Sequence, residues 1–377
     1  MQAVGMVVEY NPFHNGHRYF LRQAREKTGA DVAVAVMSGN FTQRGEPTIV
    51  DKWTRAQAAL ANGVDLVVEL PVFYAVQPAH RFAAGALAIL NALQIHQVAF
   101  GAEHPDWDFA ALVAAEQRFN RAEFDQYNAT YATQFNQQLR LQTGIELRDP
   151  NDILAFAYTK AVLANNYPIQ LIPVQRRGSG YHDQEIHGQI ASASAVRQAV
   201  INGEDFTATV PPAMQTALAR VDRVPSWDSL YPLLRNQLIQ SPLNYLATTY
   251  QMAEGLEHRM KEVAQRSLTF DSFIHGVKTK RYTYAHLLRM CLYTTLQLHE
   301  DEVADRVGQP YIHILGFTKR GQEYLHQVKK KVPVPLFTKI SQGMRDGFYN
   351  LDYRAGKLYQ NFTPVEQDLK HPPLMIH

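Results

Sequence analysis

The sequence predicts an α/β protein: a Rossmann-like parallel sheet of about five strands, followed by a mainly helical C-terminal region. Three observations carry this. Short apolar runs recur through the first half, at residues 3–8, 31–37, 64–70, 97–100 and 169–174. Segments with helical spacing fall between them on short connections, the alternation that builds a parallel sheet with right-handed crossovers. Beyond about residue 205 the alternation stops and helical patterns take over.

Residues 3–8, Ala-Val-Gly-Met-Val-Val, read as a buried strand that delivers its carboxyl end through Glu9-Tyr10-Asn11-Pro12-Phe13 to a helix start at His14-Asn15-Gly16-His17. Residues 18–27 place Phe20, Leu21 and Ala24 on one face and stop at Gly29. The second run, 31–37, ends in the polar loop Ser38-Gly39-Asn40-Phe41-Thr42-Gln43-Arg44-Gly45-Glu46-Pro47, at the same sheet edge as the first motif. A helix over 51–62 carries Lys52 and Arg55 in its first two turns, either as phosphate ligands or as solvated cations. The third strand, a small-residue helix at 79–93 and the fourth strand follow, the last running into Gly101-Ala102-Glu103-His104. Residues 109–148 read as a polar, mostly helical insertion, and Asp149-Pro150-Asn151-Asp152 opens the next helix with proline and acid where a helix start wants them. After the fifth strand, Gln175-Arg176-Arg177-Gly178-Ser179-Gly180-Tyr181-His182-Asp183 is a basic, glycine-containing loop that either clamps phosphates or is merely solvated. Ser192-Ala193-Ser194-Ala195-Val196-Arg197 reads as a helix cap or a second phosphate corner. Helical patterns cover 227–265 and 282–300, and the tail after Pro333 shows no legible chemistry.

Composition bounds the rest. A chain of 377 residues, 46% hydrophobic and 19% charged, is long enough for a large core and too apolar for disorder. The net charge of +2 does not by itself point to nucleic acid, so local patches must decide that. The single cysteine, Cys291, excludes an intrachain disulfide framework and reads as a core residue. The run at 3–8 is too short for a secretion signal, and the longest apolar stretch, 82–93, is too short to span a bilayer. A cytoplasmic protein with no membrane partner is expected.

The chemistry is concentrated in His14-Asn15-Gly16-His17. Residues three apart share a helix face, so both imidazoles can address one ligand while the glycine leaves room for close approach. The free amides and positive end of a helix start attract anions, and two histidine donors there can stabilise charge on an α-phosphate as pyrophosphate departs. The alternative is two surface histidines on an ordinary helix; a third ligand for a zinc site is not identifiable. In the helical half, Lys278-Thr279-Lys280-Arg281-Tyr282-Thr283-Tyr284 mixes cations with aromatics, the combination that holds a phosphate backbone and stacks unpaired bases. Lys329-Lys330-Lys331 could add an electrostatic contact. The boundary falls near 202–212, dividing a nucleotide-binding and catalytic region, 1–205, from a mainly helical RNA-binding region, 206–377.

The run from Val7 to His17, with Ser38-Gly39-Asn40-Phe41 and Gln43-Arg44-Gly45-Glu46-Pro47, resembles the bacterial tRNA(Met) cytidine acetate ligase family. Asp65-Leu66-Val67-Val68-Glu69-Leu70-Pro71, Arg176 with Gly180-Tyr181-His182-Asp183, and Lys278-Thr279-Lys280-Arg281-Tyr282-Thr283 look like further blocks of it. The HxGH core alone would indicate only the wider nucleotidyltransferase-like superfamily. The resemblance implies an enzyme that uses ATP, with Mg2+, to turn acetate into acetyl-adenylate and then acetylates N4 of the wobble cytidine of elongator tRNA(Met). It implies catalytic roles for His14 and His17. It also implies ATP contacts at Val7, Val8, Glu9, Tyr10, Asn11, Pro12, Phe13, His14, Asn15, Gly16, His17, Arg18, Tyr19 and Phe20, and at Gly101, Asn151 and Arg176. Lys278, Lys280 and Arg281 are the expected RNA contacts. The segment from Ser192 to Arg197 departs from the superfamily's second motif, with Ala193 and Ala195 where hydroxyl residues stand. Two rivals remain: an adenylyltransferase acting on a small phosphorylated metabolite, and a non-catalytic RNA-binding protein on the same scaffold.

Overall fold

The computed structural model describes residues 1–120, 131–176 and 188–376. The loop residues 177–183 singled out above, and the middle of the insertion, lie outside them. The five expected strands form as β1 (Ala3–Val8), β2 (Val32–Ser38), β3 (Leu66–Leu70), β4 (Gln97–Ala102) and β5 (Gln170–Gln175), all parallel, in the order β5-β4-β1-β2-β3. Alternate residues of each run feed opposite faces: Val4, Met6 and Val8 pack on one side with Ala33, Ala35 and Met37, while Val32, Val34 and Val36 face the other with Leu66, Val68 and Phe100. Helices Asn15–Thr28, Lys52–Ala61 and Ala193–Asn202 cover the first face. Helices Ala79–Ala92 and Pro150–Asn165 cover the second, Gly5 admitting the former: a β-carbon there would stand 2.7 Å from Leu90 Cδ2. Order reverses between β1 and β4, so their carboxyl ends frame the crevice where such sheets bind ligands.

The C-terminal region is mainly helical, but it also returns to the sheet. β6 (Ile312–Thr318) pairs antiparallel with β3, and β7 (Leu336–Phe337) and β8 (Leu374–Ile376) pair with β6, giving eight strands. The core on the second face runs without a break from the sheet into helices Trp227–Gln240, Leu256–Arg266, Phe270–Val277, Tyr284–Leu296 and Asn350–Tyr359. The helix expected over 227–265 is interrupted at Ser241-Pro242 and again before Gly255, whose φ of 76° suits a glycine. Cys291 is buried, and burial pushes its thiol pKa up, as a core cysteine requires.

The two cations of helix Lys52–Ala61 are neither phosphate ligands nor solvated. Lys52 is 1% exposed and lies 2.7 Å from Glu69 Oε1 and 2.6 Å from Asp368 Oδ1. The Tyr349 hydroxyl lies 2.8 Å from Glu69 and 2.9 Å from Asp368, within reach to give its one proton to either, and His313 Nδ1 lies 2.6 Å from Glu69. The tail without legible chemistry thus supplies Tyr349 and Asp368 to a buried ionic cluster that fastens it to β3. Arg55 spends its guanidinium on carbonyls of Glu9 (2.6 Å), Ser38 (3.0 Å), Val50 (3.2 Å) and Gly39, bracing the loops that follow β1 and β2.

Candidate active site

At the β1/β4 switch a cavity of about 300 Å³ opens. Val7, Val8, Glu9, Tyr10, Asn11, His14, Gly16, His17, Tyr19, Phe20, Gly101, Asn151 and Arg176 all line it. Pro12, Phe13, Asn15 and Arg18 do not. Phe13 is fully buried behind the site, edge-on to Tyr10 at 4.7 Å; Asn15 donates to Gln189 O (3.0 Å) and Ala208 O (2.9 Å); Arg18 is exposed. The wall also holds residues that were not among the ATP contacts expected from the sequence, among them Gln43, Arg44, Ser192 and Arg197. Their signal was the loops already flagged at that edge.

The histidine motif is a helix cap built from imidazoles. His14 is the N-cap of helix Asn15–Thr28, in extended conformation, and its Nδ1 accepts from the Gly16 N–H at 3.0 Å. In return the His14 N–H donates to His17 Nδ1 at 3.2 Å, closing a reciprocal box. Both Nδ1 atoms are therefore acceptors, which puts the proton of each neutral ring on Nε2. The rings lie 3.8 Å apart, with Tyr10 4.8 Å from His17. Burial and the nearby charges of Arg176 and Arg197 push His14 down to about 3; burial, His14 and Arg176 hold His17 well below its ordinary value. Each ring is a neutral Nε2–H donor. Gly16 is required for the cap itself: a β-carbon there would stand 2.7 Å from His14 Cε1 and 2.9 Å from Nδ1.

Around this pair the chain is cross-braced. Glu9, whose pKa burial raises, accepts from the Gln43 N–H at 2.7 Å and ties the loop after β2 to the end of β1. Arg197 donates to Asn11 O at 2.8 Å and Ser192 caps its helix through Ala195 N at 3.0 Å, so this segment supports the histidine loop as well as lining the cavity. On the β4 side Glu103 accepts from Asn151 at 2.6 Å and lies 3.6 Å from Arg176 Nε, placing the amide and the guanidinium on one wall. Gly101 leaves the Arg176 stem 3.4 Å from where its β-carbon would be. His104, Asp149 and Asp152 gather beside this wall, but Asp152 already accepts from Glu103 N (2.9 Å), His104 N (3.1 Å) and the His104 ring (2.6 Å).

The HIGH nucleotidyl transferase family model matches residues 1–371. A protein of Limosilactobacillus reuteri named tRNA(Met) cytidine acetate ligase is 66% identical over 377 residues, all of both chains. The chain belongs to this family. A second member, from Limosilactobacillus fermentum, is 60% identical over the full length of both chains. Among solved structures, TmcAL of Thermotoga maritima in its apo form superposes with a TM-score of 0.90 at 28% identity, and the form bound with alpha-thio ATP with 0.87 at 30%, each covering both chains completely. No helix among the described residues is long and apolar enough to cross a membrane.

The exposed loop Lys278, Lys280 and Arg281 joins helices Phe270–Val277 and Tyr284–Leu296, apart from the crevice lining. Lys278 Nζ donates to Thr279 O at 2.6 Å and Arg281 pairs with Glu254, which also accepts from Tyr282 at 3.0 Å. Lys329, Lys330 and Lys331 are exposed, and the helix before them, Lys319–Val328, packs where β3 and β4 begin, through Gly321 against Asp65 O and Tyr324 bonded to Leu93 O. That end of the sheet faces away from the crevice.

Proposed function

We propose that the chain is an ATP-dependent ligase that activates acetate as acetyl-adenylate and transfers the acetyl group to N4 of the wobble cytidine of elongator tRNA(Met), in the cytoplasm. The observation that carries the phosphate chemistry is the pair of neutral Nε2–H donors, His14 and His17, lining one cavity with Arg176 at the β1/β4 switch. Family membership supports the acyl donor and the RNA.

In the first step an acetate oxygen attacks the α-phosphorus, the bond to the bridging oxygen breaks, and its electron pair leaves with pyrophosphate. Charge grows on the α-phosphoryl oxygens and the leaving group, where preorganised donors stabilise the transition state most. His14 and His17 supply those donors and Arg176 holds phosphate oxygens. In the second step the exocyclic amine of cytosine attacks the acetyl carbonyl, loses a proton, and AMP departs. That amine is a weak nucleophile because its lone pair is delocalised into the ring, so the adenylate's good leaving group is needed. Magnesium would accompany the triphosphate as part of the substrate: among the described lining residues Glu9 is the one carboxylate, and it already accepts from Gln43, so the wall offers no cage of its own.

Residues 1–205 would then serve the nucleotide and 206–377 the RNA, across a shared core, with Lys278, Lys280 and Arg281 as outer phosphate contacts. The test is to incubate the protein with ATP, labelled acetate and elongator tRNA(Met), digest the RNA, and look for N4-acetylcytidine. Label confined to a small molecule would favour an adenylyltransferase of a phosphorylated metabolite, and RNA binding without transfer would favour a non-catalytic scaffold.

A further inference from the structure

Arg289, on helix Tyr284–Leu296, is a buried cation without a counter-ion. It is 8% exposed, its Nε is enclosed with no acceptor, and no ion pair reaches it among the described residues. The chain compensates its other buried cations fully, Lys52 with two carboxylates and Arg55 with four carbonyls. An isolated guanidinium in a protein interior is costly unless something pairs with it, and burial acts on Arg289 in that sense, lowering its pKa.

Its surroundings are donors too. A β-carbon on Gly45 would come within 3.1 Å of Arg289 N and Cα, so the loop carrying Arg44 is pressed against this turn, and Trp227 Nε1 holds that loop through Gly45 O at 3.0 Å. One turn on, Tyr293 donates to Val76 O, which brings Arg289 beside the start of helix Ala79–Ala92. The N-cap position of that helix is Pro78, whose side chain offers no acceptor, so the first turn has no side-chain cap. The imidazoles of His80 and His286 both lie in the field of the Arg289 guanidinium, burial being the larger cause of their lowered pKa values. The carboxylates whose fields also reach them, Glu116 and Glu254, are paired elsewhere, with Lys160 at 2.6 Å and with Arg281. Arg44 and Phe82, neighbours of this cluster on the two elements, line the crevice.

We propose that Arg289, with Arg44, His80 and the uncapped first turn of helix Ala79–Ala92, forms an oxyanion site for a backbone phosphodiester of the RNA strand whose base enters the crevice. The phosphate chemistry could equally come from the triphosphate, and position decides between them. Arg289 lies on the helix that begins at the Lys278–Tyr284 loop, and the stacked rings of Tyr282 and His286, 5.3 Å apart, lie between the exposed cations and the buried one. Cations and aromatics thus run from the outer face to the crevice mouth, as a single strand requires. The triphosphate donors His14, His17 and Arg176 line the crevice itself, whereas Arg289 and His80 are not among its lining residues. The site rests on the RNA substrate proposed above.

Arg289→Met and Arg289→Lys test it. For Arg289→Met the affinity for elongator tRNA should fall roughly tenfold to a hundredfold, and the slope of log affinity against log salt should lessen by about one. Acetate-dependent ATP–pyrophosphate exchange should keep its KM for ATP within about twofold. Melting temperature should hold or rise, because an uncompensated buried charge is removed. Arg289→Lys should recover part of the tRNA affinity. A raised KM for ATP with tRNA affinity kept would assign the oxyanion to the triphosphate. Unchanged tRNA affinity, or a melting temperature that falls in both variants together with every activity, would also overturn the proposal. If the wild-type protein binds tRNA but forms no acetylcytidine, the proposed function fails while the salt-slope comparison still decides this site.

Discussion

Gly16→Ala separates the position of the His14 ring from the stability of the helix it caps. The new methyl would stand 2.7 Å from His14 Cε1 and 2.9 Å from Nδ1, against about 3.5–4.0 Å for relaxed carbon contacts. The ring must therefore withdraw by roughly 0.7–1 Å. It cannot do so freely, because Nδ1 is bonded to the Gly16 N–H at 3.0 Å and the His17 ring lies 3.8 Å away, with Phe13 and Tyr10 behind. The backbone itself accepts alanine: Gly16 is an ordinary helical position, where alanine gains roughly 0.5–1 kcal/mol over glycine. Loss of the cap costs about 1 kcal/mol, so the two nearly cancel. Catalysis has no such compensation, since a donor displaced by this amount forfeits about 10²-fold in rate. Acetate-dependent ATP–pyrophosphate exchange measures that loss, with thermal unfolding and tRNA binding as controls, and Gly16→Ala added to His14→Ala should cost little more than His14→Ala alone. Exchange near the wild-type rate would refute the placement of His14 against the phosphate. A loss of stability by several kcal/mol would move the cause from positioning to folding.

Three further outcomes follow from the geometry. Lys280→Ala with Arg281→Ala should weaken tRNA binding and reduce its salt slope by about one to two, Lys280 contributing the more because Arg281 is already paired with Glu254; an unchanged slope would remove that loop from the RNA face. Acid should destabilise the fold through His14: burial holds it near 3 in the folded protein, so below its ordinary value of about 6.5 the unfolded chain binds more protons and stability falls as pH falls. Between pH 7 and pH 5 that single group accounts for about 2 kcal/mol, and His14→Asn, which keeps a cap acceptor, should lose that much of the acid dependence in urea unfolding. Lys52→Met should destabilise by about 3–5 kcal/mol, because Glu69 and Asp368 would be left buried without their cation; a loss under about 1 kcal/mol would mean that the cluster does not fasten the tail.

The parts legible in the sequence were those whose determinants are local. Each of β1 to β3 is a run buried on both faces, and Gly29, at a φ of 64°, closes the first helix as its position suggested. β6 escaped because its residues, Ile-His-Ile-Leu-Gly-Phe-Thr, follow a long helical stretch and carry a histidine where a buried strand should be apolar. That histidine is intelligible only beside Glu69, and Lys52 only beside Asp368, partners that meet once the tail has returned to β3. The spacing of His14 and His17 did place both residues on one cavity, but on incomplete grounds. Three residues is the interval from N-cap to third helical position, so the spacing that aims both rings at one cavity also spends each Nδ1 on a backbone amide. This exchange fixes the tautomer, and with it the polarity of the site: a histidine whose Nδ1 is occupied as an acceptor can only donate from Nε2, which suits a phosphate and not a metal. Gly16 belongs to the same logic, since any side chain there would displace the ring that defines the cap.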